Sequence, residues 1–257
     1  MNKKLTALWE TKTKDDEWWS SFVTAPMAIG LNYFAVDWQW LNPNRLTLLS
    51  LFTAVLAAIF IVLGGASNFI VAAVLIHLSH VFDCMDGQMA RYRQSSSAAG
   101  CYFDKLSDQI QVTLWFGSIA YASYIQSHSV IPVFLAFTGV AFYSLRGYAK
   151  YVDLHTEMSR DSQHLEKLAE INFKNVNVST RAGFSLRKNV CWLLKEQRKI
   201  LDFTEGVFIF MLSAALVFNL LTPMLWVFAG SQLFYGLIRP IQRGRKIDKE
   251  LLIEIRK

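Results

Sequence analysis

The sequence predicts an all-α integral membrane protein: a six-transmembrane-helix bundle with an N-terminal interfacial helix and cytosolic amphipathic segments. Three observations carry this expectation. Of 257 residues, 53% are hydrophobic, and the mean hydropathy of +0.26 is high for a soluble protein. Apolar runs lie near 46–65, 68–90, 102–125, 129–150, 204–221 and 223–240, each close to the ~20 residues a bilayer requires. All 26 Lys and Arg fall in four segments, each reaching at most a few residues into a run: Lys3 to Arg45, Arg91 to Lys105, Arg146 to Lys199, and Arg239 to the end. The connections near 66, 127 and 222 carry none. By the positive-inside rule both termini lie in the cytosol, and a wrong span count would have scattered the charges.

The elements follow in chain order. Residues 1–44 read as a juxtamembrane arm. Met1 to Lys14 is polar, and no secretory signal with a cleavage site is expected there. Asp15, Asp16 and Glu17 make an acidic helix start, and Trp18, Trp19, Phe22, Val23, Met27, Tyr33 and Phe34 recur at roughly helical spacing. Trp and Tyr favour the headgroup layer; the competing reading is a soluble helix packed on the bundle. Asn42-Pro43-Asn44 is a turn that opens the six-span domain, 45–240.

Residues 151–203 form a long cytosolic insert, expected to lie on the membrane surface. It carries two candidate amphipathic helices, Gln163 to Ile171 and Leu186 to Ile200. The tail, 241–257, mixes charges and reads as one more surface helix after Pro240. Cys84, Cys101 and Cys191 lack zinc-site spacing and read as reduced cytosolic thiols. The net charge of +6 sits beside spans, where it meets anionic lipid rather than nucleic acid.

Chemistry concentrates in residues 83–108. Asp83, Asp86, Gly87, Ala90 and Arg91 follow the i, i+3, i+4, i+7, i+8 rule and share one helix face. Eight residues later Gly100, Asp104 and Asp108, spaced i, i+4, i+8, share a face of the next helix. A helical hairpin brings the two faces together. Solvated loop acids are the bland alternative, but Asp83 directly follows an apolar run and Asp104 and Asp108 lead into another. Ionisable groups at the edge of a membrane span are costly and usually mark function.

Four clustered carboxylates repel unless cations neutralise them. Oxygen-only donors on rigid helices suit Mg²⁺ or Mn²⁺, and two such ions balance four charges. The glycines let a bulky ligand approach the backbone, and Arg91 offers a planar donor suited to phosphate. The constellation reads as a metal-assisted site for a diphosphate. Of the two histidines before it, His80 is one turn from Asp83 and is placed to orient it; as for His77, a hydrogen-bonded packing role is the commoner case. Arg146 and Lys150, i and i+4 at the end of the fourth span, are either headgroup anchors or a phosphate pocket.

This pattern resembles, position for position, the signature of the CDP-alcohol phosphatidyltransferase family: D-x-x-D-G-x-x-A-R, eight residues, then G-x-x-x-D-x-x-x-D. The resemblance implies phospholipid biosynthesis. An acceptor hydroxyl attacks the phosphorus of a CDP-linked donor on the side away from CMP, and CMP leaves. It implies Asp83, Asp86, Asp104 and Asp108 as ligands of two divalent cations, Mg²⁺ or Mn²⁺, with Asp108 nearest the acceptor as ligand or general base. Gly87, Ala90, Arg91 and Gly100 would contact or make room for the nucleotide. Pro43-Asn44-Arg45-Leu46-Thr47 resembles the start of the family's first span, where the Asn and Thr lie near the nucleotide; this carries Asn44 and Thr47 over. Arg146 and Lys150 tilt the acceptor toward a phosphorylated polyol, such as inositol phosphate or glycerol phosphate, with CDP-diacylglycerol as donor. The alternative is transfer from CDP-choline or CDP-ethanolamine to a lipid alcohol. Family members are commonly homodimers, and their sites open to the cytosol, which in a bacterium places the chain in the inner membrane.

Two readings outside the family compete. An intramembrane prenyltransferase also presents Asp-rich helices to a metal diphosphate, but its acidic motifs are normally far apart in sequence. A cation transporter would carry its acids near the bilayer midplane, whereas these gather near the cytosolic ends of the second and third spans.

Overall fold

The structure, a computed structural model, describes residues 3–12, 17–161, 163, 191, 200–201 and 203–255, and among these it contains helices and no strands. The two amphipathic helices expected within 151–203 lie almost wholly outside the described residues. In order the helices are α1 (Lys3–Glu10), a π-helical turn (Ser20–Thr24), α2 (Ala25–Ala35), α3 (Pro43–Leu63), α4 (Ala66–Tyr92), α5 (Ala98–Ser127), α6 (Ile131–Arg160), α7 (Glu205–Val217) and α8 (Leu221–Ile255).

Local chemistry sets the boundaries. Asn42 caps α3, its side chain accepting from the Arg45 N–H at 2.9 Å, with Pro43 in the first turn. Gly64 and Gly65, at φ 69° and 85°, make the tight turn into α4. Ser97 caps α5 by accepting from the Gly100 N–H at 3.0 Å. His128, left-handed at φ 51°, ends α5, and Pro132 lies in the first turn of α6.

Among the described residues, α3, α4 and the Leu221–Arg245 part of α8 are long and apolar enough to cross a membrane, with mean hydropathies of 2.7, 1.6 and 1.3. Gly206–Val217 is a shorter apolar helix. α5 and α6 have 30 residues each, ample length to cross at 1.5 Å per residue, but Gln109, Gln111, Ser118 and Ser123 lower the hydropathy of α5, and Arg146 and Lys150 that of α6. Large apolar side chains cover the outside, among them Leu48, Phe52 and Leu63 of α3, Val74 of α4, and Phe134 and Phe137 of α6. The molecule is built to sit in lipid.

Three boundaries differ from expectation. α6 runs ten residues past Lys150, to Arg160. The fifth run yields only Glu205–Val217, because Asn219 turns the chain at φ 53°. α8 passes through Pro240 and absorbs the tail expected as a separate helix; a proline removes one backbone hydrogen bond without obliging the chain to leave the helix.

In lipid, apolar burial between helices contributes little, so close packing and hydrogen bonds hold the bundle. Ala54, Ala57 and Ala58 of α3 meet Ala72 and Ala73 of α4 in the main core, letting the backbones approach. α3 also packs on α5, α4 on α7, and α6 on α8. Phe116 of α5 stacks on Phe228 of α8 with centroids 3.7 Å apart, and Trp115 donates its indole N–H to the Ala54 carbonyl at 3.2 Å.

The arm is pinned to the bundle. Leu8 is fully buried. Trp18 and Trp19 lie against Phe210 of α7, and Trp19 also against His77 of α4. Buried Asn32 donates to the Met85 carbonyl and Gln88 Oε1, and Gln88 donates back to the Ala25 carbonyl. Arg93 donates to the carbonyls of Val36, Trp38 and Leu41, fixing the loop that leads into α3.

Candidate active site

The acidic helix faces meet. One carboxylate oxygen from each of Asp83 (α4), Asp104 and Asp108 (α5) lies within 4.8 Å of the others, and all three residues are partly buried. A polar layer one turn deeper sets this geometry. Ser50 of α3, Ser79 of α4, and Ser107 and Gln111 of α5 form it. Ser50 Oγ is 2.9 Å from the Ser79 carbonyl, and Ser79 Oγ is 2.8 Å from the Ser50 carbonyl and 2.9 Å from Gln111 Oε1. Gln111 Nε2 donates to Ser107 Oγ at 3.0 Å. All four are buried. In lipid such groups have no water to turn to, so they fix the register of the three helices. Ser79 is one turn from Asp83, and Ser107 directly precedes Asp108.

Asp86 stands apart from the other three. It is buried and accepts a hydrogen bond from the Thr47 hydroxyl of α3. Gly100 faces Asn44: a Cβ there would stand 3.3 Å from Asn44 Oδ1. Two of the residues assigned to the nucleotide by resemblance, Asn44 and Thr47, are thus brought to the two halves of the motif. Gly87 lies under the Arg91 guanidinium, whose Nη1 would be 3.1 Å from a Cβ. Arg91 Nε donates to the Thr11 carbonyl at 2.7 Å, so the arm helps aim it. Ala90, half-buried, continues the same face one residue before Arg91.

The basic pair is not isolated either. Gln109 beside Asp108 donates to Ser144 of α6 at 2.8 Å, joining the helix that carries Arg146 to the acidic end of α5. Arg146 donates to Gln232 Oε1 of α8 at 2.5 Å. Arg146 and Arg239 both lie over the Tyr235 ring, at 5.6 and 5.4 Å, and Arg243 pairs with Asp153 at 3.2 Å. Lys150 feels the charges of Arg243, Arg146, Arg239 and Lys105. Arg146, Lys150, Arg239 and Arg243 therefore form one basic cluster on α6 and α8, and Lys105 is the cation that contacts the aspartates.

Sequence reasoning missed Arg239 and Arg243, which have the same i, i+4 spacing as Arg146 and Lys150; ending the sixth span at Pro240 hid it. It also missed Lys105, whose Nζ contacts Asp104 and Asp108. His80 and Asp83 line one small cavity with Asp108, Gln111 and Tyr143. His80 Nε2 meets Ser20 Oγ at 3.0 Å, and Ser20 donates to Glu17 Oε1 at 2.9 Å. Glu17 in turn accepts from the Gly206 N–H in the first turn of α7. His77 lies 3.1 Å from Ser213 Oγ of α7, the packing role expected for a membrane histidine.

The donor set at the centre is all oxygen, from three acids on two rigid helices, which fits a hard divalent cation. Comparison with curated proteins finds no match. The family model described as CDP-alcohol phosphatidyltransferase matches residues 40–168, half of the chain, taking in α3 to α6 and all four aspartates. Members are membrane transferases of phospholipid biosynthesis. They move a substituted phosphate from a CDP-alcohol to an alcohol and are generally dependent on divalent cations. With every fixed position of the signature filled and the matched region spanning the helices that build the site, the chain belongs to the CDP-alcohol phosphatidyltransferase family.

Proposed function

We propose that the chain transfers the phosphatidyl group of CDP-diacylglycerol to a phosphorylated polyol, with release of CMP. The observation that carries this reading is the meeting of the Asp83, Asp104 and Asp108 carboxylates, and the basic cluster on α6 and α8, tied to α5 through Gln109 and Ser144, supports the choice of acceptor. Asp83, Asp86, Asp104 and Asp108 would hold two divalent cations, Mg²⁺ or Mn²⁺. When bound, the cations neutralise charge on the diphosphate and on the departing CMP oxygen. Asn44, Thr47, Gly87, Ala90, Arg91 and Gly100 form the nucleotide side.

The chemistry assigned to the chain's own side chains is modest. The acceptor hydroxyl attacks the lipid-bearing phosphorus, the bond from that phosphorus to the CMP oxygen breaks, and Asp108 takes the hydroxyl proton. Arg91, steadied by the Thr11 carbonyl, faces the diphosphate. Arg146 and Lys150, reinforced by Arg239 and Arg243, receive the acceptor's own phosphate. That extra phosphate is what a cluster of guanidinium and ammonium groups is suited to bind; an uncharged polyol such as inositol gives it nothing to pair with.

The test supplies purified protein with CDP-diacylglycerol, Mn²⁺ and a panel of alcohols, and identifies the lipid product. A product formed only with phosphorylated polyols supports the assignment. A product formed with neutral alcohols alone, or with CDP-choline and diacylglycerol, would replace it.

A further inference from the structure

Asp104 and Asp108 share a cation supplied by the chain itself. Lys105 folds back so that Nζ lies 2.9 Å from Asp104 Oδ2 and 3.0 Å from Asp108 Oδ2. These are two of the three carboxylates whose oxygens converge. The ammonium is a compact point charge with three donors, and an oxygen that accepts from it has less to give a metal ion. The side chain is 57% exposed, so the ammonium can leave for water without crossing packed protein.

We propose that Lys105 is a built-in counter-ion for the acidic site. It pairs with Asp104 and Asp108 when the divalent cation is away, competes with that cation for their oxygens, and gives way on loading. The inference rests on reading the aspartates as metal ligands. Its consequence is a site that keeps its carboxylates together before loading and holds metal less tightly than three acids alone would. Two partly exposed ion pairs set the scale, at a competition of about three- to thirtyfold.

The test is Mn²⁺ binding to the full-length purified protein at fixed pH, with free Mn²⁺ counted by electron paramagnetic resonance and no substrate added. Lys105→Met and Lys105→Gln should bind Mn²⁺ about three- to thirtyfold more tightly than the unaltered chain. Lys105→Arg, which keeps the charge, should stay close to it. Unchanged or weaker binding in the two neutral variants, with binding by the unaltered chain intact and reduced in Asp104→Asn, would overturn the counter-ion role alone. No Mn²⁺ binding by the unaltered chain would overturn the metal reading with it.

Discussion

At the scale of single residues, the aspartates divide into a converging trio and a partner held to one side. Asp83, Asp104 and Asp108 place oxygens within 4.8 Å of one another, while Asp86 is fixed by the Thr47 hydroxyl. Asp108→Asn keeps shape and one acceptor oxygen but removes the base, so transfer should fall by about 10²- to 10⁴-fold with thermal stability near that of the unaltered chain. Near-normal turnover in that variant would remove the assigned role. Arg146 loses a charge-assisted contact when truncated. Arg146→Ala should therefore raise the acceptor KM by roughly ten- to a hundredfold while changing the donor KM less; an unchanged acceptor KM would make Arg146 a headgroup anchor. The aspartates were legible because their spacing is a property of a helix face. Lys105 was not, since the fold-back of a lysine between two acids depends on rotamers that a helical wheel does not contain. The place of Arg91 on the face of Asp83 and Gly87 was legible from its spacing, but its tether to the Thr11 carbonyl joins residues eighty apart.

At the scale of elements, the site depends on register between α3, α4 and α5, and that register is held by Ser50, Ser79, Ser107 and Gln111. In membrane proteins each such contact contributes about 0.6 kcal/mol on average. Gln111→Leu should lower thermal stability modestly and activity more, because Asp83 and Asp108 sit one turn above it. If activity stays level while stability falls, the layer is structural only. The α6–α8 pair makes a second case. A Cβ on Gly139 would run into the Phe228 ring, and one on Gly236 would stand 2.8 Å from the Phe142 ring. Gly139→Ala should cost about 1–3 kcal/mol by overpacking, read as a lower unfolding midpoint in detergent; an unchanged midpoint would mean the helices part without strain. Apolar periodicity made the helices themselves legible. Their ends were harder to read, since α6 continues through charged residues to Arg160 and α8 through Pro240, and neither carries a stop signal stronger than the neighbours that pack on it.

At the scale of the whole molecule, three helices among the described residues meet the length and hydropathy of a membrane crossing, and we propose from charge segregation that there are six crossings with a cytosolic site. α5 and α6 have the length without the hydropathy, because α5 carries Gln109, Gln111, Ser118 and Ser123 along its apolar part and α6 carries Arg146 and Lys150 toward its end. We predict that Cys101, exposed near the start of α5, reacts with impermeant maleimide only from the cytosolic side. A cysteine placed at Ser129, between α5 and α6, should react only from the opposite side. Labelling of both from one side would break the six-span topology and the orientation drawn from Lys and Arg. Of the expected insert 151–203, the first ten residues continue α6, and the two amphipathic helices expected after them lie almost wholly outside the described residues.

Divalent ions held between α4 and α5 are the centre of the proposed chemistry, and anomalous X-ray scattering from crystals grown with Mn²⁺ tests for them most directly. The expected result is one or two strong peaks among Asp83, Asp86, Asp104 and Asp108, with Lys105 turned away from Asp104 and Asp108. Well-ordered density for the same side chains, with Lys105 still between its carboxylates and no anomalous peak at millimolar Mn²⁺, would contradict it.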